Sequence, residues 1–202
     1  MTDRRPDVTV QALVDHYGLE PMPLEGGLFR RTWAGTTGTT GTQATADGAP
    51  ATVAGAPARA DGRPEGSAII VLLSPADGQF SAMHRLPGDE VWHFYLGDPV
   101  ELLLLGPDGD HRVVVLGPDV LGGQHVQFTV PAGTWMGGQV APGGQWSLFG
   151  CTMAPGFVSS DYEGGDAGTL CARYPAAAER IRALCRPGAP LRHPAEPEGR
   201  TG

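Results

Sequence analysis

From residue 68 to residue 153 the chain is cut into short β-favouring segments at regular spacing, and this constrains the fold more than any other feature. The segments are 68–74, 79–85, 90–96, 100–105, 111–116, 126–130, 134–140 and 146–153. Turn signals separate nearly all of them: Asp77-Gly78, Pro87-Gly88-Asp89, Gly97-Asp98-Pro99, Pro107-Asp108-Gly109-Asp110, Gly122-Gly123 and Pro142-Gly143-Gly144. Closely spaced short strands imply a sandwich or a closed barrel, whereas alternating β/α units would need helical patterns between them. The 31 glycines and 19 prolines suit such a fold, because each turn needs residues with special backbone freedom or constraint.

The flanks add short helices. Val10, Leu13, Val14 and Tyr17 recur at i, i+3, i+4 and i+7, with Asp7 or Thr9 to cap the start and Gly18 to stop it. Glu25-Gly26-Gly27 introduces a further strand at 28–33. Residues 34–66 are Gly, Thr, Ala and Pro with almost no large apolar side chain, which predicts a disordered insertion loop. A second helix is expected to begin at Pro175, with Ala178, Ile181, Leu184 and Cys185 as its stripe and Pro187-Gly188 as its stop. Residues 189–202 form a Pro-rich polar tail, expected to be mobile, so one domain occupies 1–188. Residues 100–105 are nearly all apolar, which suits a central strand or a dimer contact.

Charge and cysteine usage exclude several functions. The net charge is −8 and the 14 Lys and Arg residues are scattered, so nucleic acid and anionic membranes are not expected partners. No apolar run approaches the roughly 20 residues of a spanning helix. The first residues lack the apolar stretch of a secretory signal. Cys151, Cys171 and Cys185 have no Cys-x-x-Cys spacing and are expected to be reduced, in the cytoplasm.

The chemistry concentrates in Phe80 to Gly97. In a strand, alternate side chains share a face, so Glu90, Trp92 and Phe94 face one way and His93 the other. With Glu90 pointing inward, the lumen carries a carboxylate on an aromatic wall, and His84 reaches it across the hairpin. A small barrel either fills its interior or holds one small ligand, and a carboxylate on an apolar wall favours the ligand.

These residues carry a resemblance. His84, Glu90 and Gly97 fall on the first cupin motif, and Pro131-Ala132-Gly133-Thr134-Trp135-Met136 resembles the second. Four stretches are more specific: Glu25-Gly26-Gly27-x-Phe29-Arg30; Asp89-Glu90-Val91-Trp92-His93-Phe94-Tyr95-x-Gly97; Gln127-x3-Pro131-Ala132-Gly133-x-Trp135; and Gly150-Cys151 through Phe157. In these the chain resembles the Cupin_5 family, also called DUF985, from about Leu13 to Leu184. The resemblance implies an all-β double-stranded β-helix, a jelly-roll cupin barrel with short N- and C-terminal helices, and a homodimer.

Metal-binding cupins use three histidines and one glutamate. Here Leu86 stands at the second histidine and Met136 at the third, so His84 and Glu90 remain, and no metal cofactor is expected. Without metal, His84 and Glu90 form a candidate proton-transfer pair suited to isomerisation, epimerisation or cyclisation of a small carbonyl compound. The candidate substrate contacts are Glu25, Arg30, Trp92, Phe94, Gln127, Trp135 and Met136. Two alternatives stay open: a non-catalytic small-molecule binder, and a metal-dependent oxygenase with a divalent ion at His84 and Glu90. Where the family shows His-Pro-Glu-Gly-Gly, this chain has Pro23-Leu24-Glu25-Gly26-Gly27.

Overall fold

The computed structural model describes residues 8–35, 41–44, 50–53 and 62–194, with 41–44 and 50–53 described as backbone. Its strands are β1 (Glu20–Pro21), β2 (Leu28–Ala34), β3 (Gly41–Ala44), β4 (Pro50–Val53), β5 (Ser67–Leu73), β6 (Ser81–Arg85), β7 (Glu90–Gly97), β8 (Val100–Leu105), β9 (His111–Leu116), β10 (Gln127–Val130), β11 (Trp135–Val140), β12 (Ser147–Met153) and β13 (Glu163–Gly164). Helices α1 (Val10–Tyr17), α2 (Ala167–Arg173) and α3 (Ala178–Ala183) flank them. A six-stranded sheet runs β1-β2-β5-β12-β7-β10, and a five-stranded sheet runs β13-β6-β11-β8-β9. The pairings between named strands are antiparallel, and the two sheets face each other as a jelly-roll barrel.

Binary patterning explains where the core lies. Val100, Leu102 and Leu104 of β8 point between the sheets, where they meet Val71, Leu73, Trp92, Met136 and Phe149. Leu103 and Leu105 of the same strand face outward and are covered by Leu170, Tyr174, Ile181 and Leu184 of the C-terminal helical segment. The apolar run is thus a central strand, paired to β11 on one side and β9 on the other. Helix α1 lays Leu13 against Leu72 and Leu148 on the outside of the larger sheet. Its Thr9 side chain caps the Ala12 amide at 3.1 Å, and Gly18 ends it in the left-handed conformation.

The helical C-terminus differs from the sequence expectation. Pro175 begins a 3-10 turn that leads into α3, and a separate helix, α2, precedes it. Asp166 caps α2 by accepting from the Thr169 amide at 2.8 Å. The Leu191 carbonyl accepts from the Gly164 amide at 2.7 Å, and Arg192 pairs with Glu163 at 3.3 Å, so 191–193 lie along β13. Residues 195–202 lie outside the described residues. Within the expected insertion loop, β3 and β4 pair as an antiparallel ladder; positions 36–40, 45–49 and 54–61 lie outside the described residues. Among the described residues no helix is long and apolar enough to cross a membrane.

Candidate active site

Glycine chemistry builds the first wall. Gly26 and Gly27 both adopt positive φ, and a Cβ on Gly27 would come within 2.7 Å of Leu73 Cδ2. The chain therefore turns tightly against β6, where the Ala82 amide donates to the Glu25 carbonyl at 2.8 Å. That places the Glu25 side chain in the barrel, where it accepts a hydrogen bond from Ser81 Oγ at 2.8 Å.

The second wall is β7, whose first residue is Glu90. It is 7% exposed, and its Oε2 accepts from Trp92 Nε1 at 2.8 Å, as two residues on one pleat face can do. Glu25 and Glu90 both line a cavity of about 250 Å³ whose other walls include Met22, Phe29, Ile69, Leu86, Met153 and Phe157. Burial raises the Glu90 pKa to about 7; His84 opposes that rise with its charge, and Glu25 adds to it. The neighbouring Cys151 thiol is also pushed up by burial and keeps its proton.

His84 is buried in the wall on β6. Its Nδ1 lies 2.7 Å from the Ala82 carbonyl, which can only accept, so Nδ1 carries a hydrogen and donates it there. Nε2 is 3.9 Å from Glu25 Oε1, so Glu25 is the carboxyl that faces the imidazole. The Tyr162 ring stacks on His84 with centroids 5.4 Å apart and itself lines the cavity. Burial pushes the Tyr162 hydroxyl well above its ordinary pKa, so it stays a neutral donor through the physiological range.

The remaining sequence candidates are distributed differently. Trp92 faces inward but is fully buried, stacked on Phe149 behind the carboxyl, and Phe94 packs against the same core without lining the cavity. Met136 sits opposite His84 in the ladder and is buried in that core. Because Met136 points in, Trp135 must point out; it lies under the C-terminal helices with the Arg85 guanidinium 4.7 Å over its ring. Gln127 pairs with His93 across the outer face, its Nε2 3.1 Å from His93 Nδ1. Arg30 is exposed on the outer face, its guanidinium beside Gly18, while the next residue, Arg31, lines the cavity. Arg31, Tyr162 and His193 also line the cavity, though none is among the candidates from sequence. Alternation from Phe29 gives Arg31, but nothing local marks the other two.

The donor set suits a metal poorly. Leu86 presents no donor to the cavity, and Met136 is buried in apolar surroundings. Among the described residues no group of three or more His, Cys, Asp and Glu is placed to hold a metal ion.

Comparison with known proteins agrees with this architecture. Residues 11–164 match the Cupin_5 family, described as Cupin superfamily (DUF985). The chain belongs to the Cupin_5 family. A crystallised protein from Shewanella oneidensis is 29% identical over 89% of this chain and 99% of its own, with a TM-score of 0.73. A hypothetical protein from Leishmania major is 25% identical over 88% of this chain and 99% of its own, with a TM-score of 0.68. No curated protein sequence matches this cupin.

Proposed function

We propose that this cupin is a metal-independent enzyme that moves a proton on a small carbonyl compound, as an isomerase, epimerase or cyclase does. One observation carries the proposal: a buried carboxyl, pushed upward by its burial, lines a mostly apolar cavity. Ionised Glu90 removes a proton from the carbon beside the carbonyl. The electron pair moves onto the carbonyl oxygen, and the neutral Tyr162 hydroxyl is the donor at hand to stabilise it. Protonated Glu90 then returns the proton to the same carbon, or to the γ carbon of an unsaturated substrate, as the carbonyl re-forms, so atoms and charge balance. His84 acts on Glu90 through its charge, and Glu25 through its proximity to both.

The test is deuterium incorporation from D₂O into a panel of small α-acidic carbonyl compounds, followed by proton NMR. Exchange should rise with pH through a midpoint of about 7, the pKa of the base. Exchange no faster than in buffer across the panel would remove the catalytic assignment. The apolar lining also suits a non-catalytic binder, for which a panel compound binds and no exchange follows.

We also propose a homodimer. Supporting it, β9 is an edge strand with exposed Val113, and the loop after it exposes Val120, Leu121 and Val126. Sedimentation velocity should give twice the chain mass, falling to one chain mass in Leu121→Asp; a wild-type monomer would exclude it.

A further inference from the structure

Polarity along the cavity points to a class of substrate. We propose that the molecule bound is a small organic anion, its carboxylate or phosphate held by Arg31 at the mouth and its neutral, reacting end at Glu90. This rests on the proton-transfer proposal and specifies what that site takes.

Nearby arginines are committed to carboxylates: Arg63 to Asp161, Arg85 to Glu163 and Arg192 to Glu163. Arg31 is exposed, makes no hydrogen bond or ion pair among the described residues, and lines the cavity. It also lines an adjoining space of about 390 Å³, together with Ser159, Ser160 and His193, so it stands where the two spaces meet. Fixed contacts build this mouth. Asp161 is bridged by Arg63 and accepts from the Val158 amide at 3.2 Å, and the Phe157 amide donates to Ser67 Oγ at 2.9 Å. His193 packs edge-on against Tyr162, with ring centroids 5.3 Å apart.

Electrostatics then orients the guest. The inner end already carries two carboxyls, Glu25 and Glu90, which repel a second anion. The guanidinium at the mouth offers paired donors that match a carboxylate or phosphate. Between them lie Met22, Phe29, Ile69 and Met153, a wall for an uncharged body. A cavity of about 250 Å³ limits that body to less than a drug-sized molecule.

The test uses the full chain and three probes: phenylacetate, phenyl phosphate and neutral phenylacetamide, titrated by NMR at neutral pH and low salt. Wild type should bind at least one charged probe about tenfold more tightly than the amide. Arg31→Gln should erase that preference while leaving amide affinity within about twofold, and added salt should weaken the preference. The charged probe that binds better distinguishes a carboxylate substrate from a phosphate. Equal affinity for all three probes in wild type, or a preference that survives Arg31→Gln, would overturn the assignment. These probes read binding alone, so failure of deuterium exchange beside an intact charge preference would sink only the proton-transfer proposal. Failure of all three to bind would overturn the organic-anion assignment and leave the proton-transfer proposal to the exchange panel.

Discussion

Glu90→Gln should slow deuterium exchange by about 10²–10⁴-fold, because the amide cannot accept the proton that the carboxylate removes. The same variant should be the more stable protein in alkaline solution. Folding raises the Glu90 pKa from 4.5 to about 7, so between those values the folded chain holds a proton that the unfolded chain has released. Stability from this group is full below the lower value, declines as pH rises through the window, and is absent above the upper one. Glutamine does not ionise and escapes the decline. At about 1.4 kcal/mol per pH unit, the variant should gain on the order of 3 to 4 kcal/mol relative to wild type at alkaline pH, and little in mild acid. Urea unfolding at the two pH values measures it. Exchange that survives the substitution would remove Glu90 as the base, and equal pH slopes would show that its carboxyl is not held near neutrality.

Trp92→Ala should destabilise the protein by about 3–5 kcal/mol, the usual range for emptying a buried aromatic site. Trp92 is fully buried, and its ring stacks on Phe149 with centroids 4.8 Å apart and planes 13° apart. The same ring nitrogen donates to Glu90. Trp92→Phe separates the two roles. It keeps an aromatic ring on Phe149 and deletes the donor, whose effect is to lower the Glu90 pKa. The midpoint of the exchange profile should therefore move upward while most of the stability remains. A cost below about 1 kcal/mol for Trp92→Ala, or an unmoved midpoint for Trp92→Phe, would contradict this role.

The fold was readable because its signals are local. Alternation and turn residues placed β5 to β12 within two residues of their observed ends, since a pleat and its turns are encoded by neighbours. Helix α2 escaped because it is seven residues long with Gly168 inside it, and its marker is a single cap at Asp166. The site was legible where one strand determined it. Parity put Glu90 and Trp92 on the inner face and His93 outside, bonded to Thr152. Where faces had to be matched between strands, motif order misled. Arg30 and Trp135 sit in the family stretches, yet their neighbours Arg31 and Met136 turn inward. Tyr162 and His193 come from segments that only the tertiary structure brings to Glu90 and His84, so no local pattern could reveal them.

The most direct measurement is the titration of the Glu90 carboxyl itself, as the infrared difference between wild type and Glu90→Gln across the pH range. A carboxyl signal that persists in mild acid and disappears with a midpoint of about 7 is the expected result. A midpoint near 4.5, the ordinary value for glutamate, would mean that water reaches the group freely and that no poised base lies in the barrel.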